Sequence, residues 1–306
     1  MTTLPKPVYE KVKIEYFKFL KSQEVFSEPF KDKTGQLNKF YIPISNFIFN
    51  NYNKKKKTIV IGLTGGQGSG KSTISNILKL ILMKGFNLKT VIFSIDDFYK
   101  TLNQRKQMSK KVSPLFFTRG VPGTHDTKLL KNCINSLKKK VFKKILIPRF
   151  DKSKDERMPK KNWQKIKDKP QIVIFEGWCV NVAPQKRKDL LIPINKLERE
   201  KDKKRVWRER VNREIKNNYK KIFSLIDLTI FLRVPSFKYV VKWRLLQERK
   251  LRLRSRGKKT MTNFQIKQFV MFYERLTKHM SNSLTKTAKF VIDIDKKHRL
   301  KKISIN

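Results

Sequence analysis

The stretch GLTGGQGSGKST at residues 62–73 holds five of the eleven glycines in the chain. Gly65, Gly70, Lys71 and Ser72 satisfy G-x-x-x-x-G-K-[ST], the spacing of a phosphate-binding loop. Glycine is concentrated there because successive backbone N–H groups must turn inward around phosphate oxygens, with dihedrals and a closeness of approach that a Cβ blocks. Upstream, TIVIGL at 58–63 reads as a short apolar strand. Downstream, Ile74, Ile77, Leu78 and Ile81 share one face of a helix that the spacing predicts from about Lys71 to Met83. That helix brings its positive dipole end to the same phosphates. A dinucleotide fingerprint, G-x-G-x-x-G, starts at Gly66 and Gly68 but meets Lys71 where its third glycine belongs. The strand–loop–helix context therefore assigns Gly65, Gly66, Gln67, Gly68, Ser69, Gly70, Lys71, Ser72 and Thr73 to a nucleoside triphosphate. Lys71 is expected to reach its β and γ phosphates and Ser72 to ligate Mg²⁺.

Outward from the loop, strand-like and helix-like segments alternate. TVIFSI at 90–95, KILIPRF at 144–150, QIVIFEG at 171–177, LTIFL at 228–232 and KFVIDI at 289–294 are further strand candidates. Helical patterns fall near 127–140, 197–223, 237–254 and 263–280; in the second, Trp207, Val211, Ile215 and Tyr219 recur every four residues. Continuous apolar strands between helices predict an α/β architecture, a doubly wound, mostly parallel sheet with helices on both faces. Residues 1–57 read as a helical N-terminal extension closed by a solvated turn at 53–57, and residues 58–306 as one globular unit. Residues 151–170, polar and proline-bearing, read as a long loop.

The chain has 306 residues, 39% of them hydrophobic, enough for a substantial core. No run of eighteen apolar residues occurs, and the N-terminus lacks the apolar centre of a signal peptide, so a cytoplasmic protein without membrane insertion is expected. Cys133 and Cys179 give neither a disulfide framework nor a zinc spacing and read as small buried side chains. A net charge of +50 admits nucleic-acid binding or compositional bias. Basic residues spread over every segment, among abundant Asn, Ile and Phe, favour bias, since a binding patch is local. No specific nucleic-acid partner is therefore expected, and the sequence carries no signature of oligomeric state.

In VIFSIDDFYK, Asp96 and Asp97 fall at the C-terminal end of the second strand, the edge where open α/β sheets bind ligands. A carboxylate there can accept the proton of a hydroxyl attacking a γ-phosphate. The plainer reading of paired aspartates is a turn or helix cap.

The strand, loop and DDFY together resemble the uridine kinase, phosphoribulokinase and pantothenate kinase group of P-loop small-molecule kinases. SIDDFYKT, RGVPGTHD, IPRFDKS, VIFEGW and LEREKD…WRERVN look like its D-glycerate 3-kinase branch, over about residues 58–295. The resemblance implies an ATP- and Mg²⁺-dependent transfer of the γ-phosphate to a hydroxyl of a small acceptor, D-glycerate first. It makes Asp96 the base and Lys71 its catalytic companion. Glu176, closing VIFEG, takes the acidic position that acts on Mg²⁺, or else caps a turn. Asp97, Tyr99, Arg119, His125 and Asp126 fall on the acceptor side, with Asp126 also suited to N-cap the helix that follows. Arg149 and Lys152 suit an anionic acceptor carboxylate. The resemblance also implies an arginine-bearing lid within 240–262, where Arg244, Arg249 and Arg252 are candidates for neutralising transition-state charge, or else line a solvated basic face. Two rivals stand beside this reading: another acceptor, such as a nucleoside, pantothenate or a sugar acid, and a nucleic-acid-binding NTPase.

Overall fold

The computed structural model describes residues 4–24, 29–254 and 261–306. Six strands build its main sheet: β1 (Ile59–Gly65), β2 (Thr90–Ser94), β3 (Ile172–Gly177), β4 (Leu228–Arg233), β5 (Phe290–Ile294) and β6 (Leu300–Ile305), in the order β2-β3-β1-β4-β5-β6. The first five are parallel, and β6 returns antiparallel to β5 through an irregularity between Leu300 and Lys302. From β1 the chain crosses to the edge strand β2, returns to β3 beside β1, and then builds β4, β5 and β6 on the other side. The crevice where those directions diverge, at the carboxyl end of β1, is the edge where such sheets take ligands.

Successive side chains of β1 enter two different cores, because a strand alternates faces with period two. Val60 joins Phe93, Val173, Phe175 and Phe231 on one face. Beyond α4 (Leu102–Lys111) in the chain, they meet there α5 (Thr127–Lys138) through Leu130 and Ile134, α7 (Val206–Glu214) through Trp207, and α9 (Asn263–Thr287) through Tyr273 and Met280. Ile59, Ile61 and Leu63 face the other way with Ile174, Ile230 and Leu232, under α3 (Lys71–Gly85), whose Ile74, Ile77, Leu78 and Ile81 are buried as their spacing predicts. Val12, Tyr16 and Leu20 of α1 (Lys6–Gln23) and Ile44 and Ile48 of α2 (Ile42–Lys55) complete that second core. The N-terminal extension is thus helical and covers the phosphate-loop helix.

Several boundaries differ from the sequence expectation. Residues 53–55 are the last turn of α2, which stops at Lys56 in a left-handed conformation; its lysines suit the negative end of the helix dipole. KILIPRF does not join the main sheet. Ile145–Ile147 pairs with Gln164–Ile166, and Pro148, which has no N–H to donate, ends the strand; Phe150–Asp151 then pairs with Glu156–Arg157. The expected long loop is thereby folded into two small ribbons. The helical stretch 197–223 is broken between α6 (Lys196–Lys201) and α7, where the Asp202 carboxylate accepts the Trp207 and Arg208 N–H groups at 2.9 and 3.2 Å. β6 was not read as a strand.

Candidate active site

The loop between β1 and α3 is built for an anion. Gly68 and Gly70 have φ of +74° and +88°, and a Cβ at Gly68 would lie 2.8 Å from the Trp243 Cβ. Helix α3 starts at Gly70 with no side-chain cap, so N–H groups of its first turn face the loop. The buried Ser69 hydroxyl has no partner among the described residues. Lys71 folds back over the loop, its Nζ donating to the Gly65 and Gly66 carbonyls at 3.0 Å each. Burial pushes this ammonium down, while Glu176 and Asp96 pull it back up.

Two carboxylates face that lysine from neighbouring strand ends. Glu176, buried at the end of β3, accepts the Ser72 hydroxyl at 3.2 Å. Burial pushes its carboxyl up, and Lys71 partly offsets this. An acid beside a serine hydroxyl at a loop of this shape is a donor set suited to Mg²⁺. Asp96 lies on the 3₁₀ turn Ile95–Phe98 after β2, and its carboxylate accepts Tyr99 Oη at 2.8 Å and Lys152 Nζ at 2.7 Å. Burial opposes its ionisation, but the Lys152 ammonium and the two hydrogen bonds more than overcome it and hold the carboxyl well below its ordinary value.

The two aspartates divide the alternatives that the sequence left open. Asp97 closes a capping box, accepting the Ser94 N–H at 3.1 Å, and pairs with Arg149 at 3.2 Å. Its carboxyl is pushed up by burial. Asp96 alone is left facing Lys71 and Glu176. Asp126 likewise N-caps α5 through the Leu129 N–H at 3.0 Å and meets Arg157 at 3.4 Å, so both its oxygens are engaged in structure rather than presented to an acceptor.

The surroundings of Asp96 are strongly cationic. Arg119 pairs with Asp155 and lies over the Phe150 ring, and Arg149 also donates to Gln164 at 2.7 Å. His125 is fully buried, stacked on Tyr99 with ring centroids 4.5 Å apart, and its Nδ1 lies 2.6 Å from Tyr219 Oη. Burial pushes its pKa down to about 3. Lys152 was read as a partner for an acceptor carboxylate and is found on Asp96. Tyr219 was read only as a core position, and nothing in the sequence separates its hydroxyl from the apolar stripe it sits on.

The segment expected to form a lid is described in part, since residues 255–260 lie outside the described residues. On α8 (Phe237–Arg254), Arg244 pairs with the buried Glu248 at 2.6 Å, one residue from Trp243, which abuts Gly68. Arg249 is exposed, and Arg252 donates to the Met261 carbonyl at 2.6 Å. Trp243 stacks on His298 with centroids 4.3 Å apart and planes 6° from parallel.

The family described as "Phosphoribulokinase / Uridine kinase family" matches residues 60–242, from β1 into α8. The chain belongs to this family. An uncharacterized kinase of Schizosaccharomyces pombe, mug58, is 34% identical over 225 residues, 71% of this chain and 79% of its own length. The chloroplastic D-glycerate 3-kinase of Arabidopsis thaliana is 28% identical over 70% of this chain, which spans only 46% of that relative. A solved structure titled D-glycerate 3-kinase, from Cryptococcus neoformans, superposes with a TM-score of 0.72 at 22% identity, over 86% of this chain and 98% of the other, and shows the shared fold. This kinase is therefore a P-loop phosphotransferase. No helix among its described residues is long and apolar enough to cross a membrane.

Proposed function

We propose that this kinase moves the γ-phosphate of ATP to a hydroxyl of a small anionic acceptor, D-glycerate first. The observation that carries the reading is Asp96, held as a carboxylate beside Lys71 and Glu176 and bonded to Lys152 at 2.7 Å. In this reading Gly65–Thr73 hold the nucleotide phosphates through backbone N–H groups and the α3 dipole, and Lys71 supplies positive charge to them. Ser72 and Glu176 would hold Mg²⁺, which neutralises phosphate charge when bound. Asp96 takes the acceptor hydroxyl's proton, with Tyr99 fixing the carboxylate through its own hydrogen bond. Arg119, Arg149 and Lys152 make the acceptor end positive, which suits a carboxylate better than a nucleoside base. Arg244 and Arg249 are the proposed lid arginines. The name of the Arabidopsis relative supports D-glycerate as the first acceptor to try.

The test is an ATP/Mg²⁺ phosphorylation assay with D-glycerate beside pantothenate, uridine and a panel of sugar acids, reading ADP release and product mass. Turnover of D-glycerate near or above about 10⁴ M⁻¹s⁻¹ is expected. Turnover of another compound alone would replace the acceptor and keep the roles of Asp96 and the loop.

A further inference from the structure

Tyr219 ends a π-helical turn, Ile215–Tyr219, that continues α7. Such widened turns are uncommon and recur at functional sites. Its hydroxyl lies against the Gly123 N–H at 3.0 Å, His125 Nδ1 at 2.6 Å and the backbone N–H of His125. An amide N–H can only donate, so the hydroxyl oxygen accepts from Gly123. His125 Nδ1 is the acceptor among the described residues for the hydroxyl's own proton, so the pairing that leaves no buried O–H unbonded puts the lone pair on Nδ1. The buried ring is neutral, so its single proton is on Nε2. Nε2 is itself buried and has no partner among the described residues. Tyr99, the ring stacked on His125, is the same residue whose hydroxyl holds Asp96.

We infer that Tyr219 is a positioning residue of this kinase: it locks His125 in the Nε2–H tautomer, which leaves a buried N–H behind the Tyr99–Asp96 pair for an acceptor oxygen other than the hydroxyl that reacts. The inference rests on the proposed function, because the region around Asp96 is taken as the acceptor's. An orphaned buried donor favours a ligand that brings an oxygen to it and disfavours an analogue with a methylene there. Tyr219 thereby acts on selectivity through His125, from a helix that contributes no group to the phosphate loop.

Histidine side-chain ¹⁵N–¹H correlation spectra of the full chain test the tautomer directly. The chain has three histidines, and His125→Gln identifies the signal that belongs to His125. The wild type is expected to show a neutral ring protonated at Nε2. Tyr219→Phe keeps the ring against Phe223 and removes only the hydroxyl, so the pure Nε2–H signature should be lost. With D-glycerate and ATP, the same variant should raise the KM for D-glycerate roughly tenfold, the worth of about one hydrogen bond, while the KM for ATP changes less than twofold. An Nδ1–H ring in the wild type, an unchanged spectrum in Tyr219→Phe, or a parallel rise of both KM values would each overturn the inference. Failure of the wild type to phosphorylate D-glycerate would strike the proposed acceptor alone, since the spectra decide the role of Tyr219 without any substrate.

Discussion

Asp96, the proposed base, is held ionised by the Lys152 ammonium and the Tyr99 hydroxyl. A positioned general base contributes roughly 10² to 10⁴ in rate, so Asp96→Asn is expected to lower kcat by about that factor with the KM for ATP nearly unchanged. Survival of turnover within a few-fold would remove the assignment. Lys71→Ala should instead damage both nucleotide affinity and kcat. The Lys152 contact sets the sign of a pH effect. Against burial, its ammonium, together with the Tyr99 hydrogen bond, holds the Asp96 carboxyl below its ordinary value. In Lys152→Met burial acts unopposed by that charge, the carboxyl rises, and the acid limb of kcat/KM should move to higher pH. A profile whose acid limb stays in place would show that the 2.7 Å contact does not govern the base.

Among the elements, α5, α6 and α9 carry the charged residues most easily mistaken for chemistry. Asp126→Ala removes the N-cap of α5 and should cost about 1 kcal/mol in urea unfolding. Glu198 on α6 pairs with Arg275 on α9 at 2.6 Å, both buried, and Arg275 also donates to the Asp189 and Ile192 carbonyls. Glu198→Ala leaves that guanidinium uncompensated and should cost roughly 3–5 kcal/mol, far more than the cap. The LEREKD and WRERVN motifs are therefore scaffold, with Asp202 and Arg208 forming a second buried pair at 2.9 Å. How legible an element was in the sequence followed the regularity of its environment. β1, β3 and β4 are buried on both faces, so their apolar runs stand out, as does the glycine loop that β1 feeds. β6 stayed hidden because it lies at the sheet edge with Lys301 and Lys302 exposed and its register interrupted, which erases the period of two. Asp96 and Asp97 were legible as a pair, but not which of them caps the turn and which is left facing Lys71. That division depends on Ser94 and Arg149, whose distances no spacing rule supplies.

The whole molecule hangs on one sheet between two cores. Fully burying an apolar side chain is worth about 1.5–3 kcal/mol. Val12, Tyr16, Leu20, Ile44 and Ile48 together thus rival the roughly 5–15 kcal/mol net stability of a typical domain. Deletion of residues 1–57 is expected to yield insoluble or unfolded protein rather than a trimmed kinase, as soluble yield and thermal unfolding would show. The charge of +50 predicts a different behaviour. RNA or DNA should bind weakly with a steep salt dependence, yet leave ATP hydrolysis unstimulated; stimulation would revive the reading of a nucleic-acid-driven NTPase.

Trp243, pressed against Gly68 on one side and stacked on His298 on the other, gives the protein an optical voice. Its indole emission should respond when an anion reorganises the loop. Trp178 and Trp207 lie in the opposite core and Trp163 donates to the Met158 carbonyl, so Trp243→Phe identifies the part of the signal that belongs to the loop. Loading of the loop can therefore be followed by light alone, without label or acceptor, and occupancy can be timed separately from the chemistry that follows it.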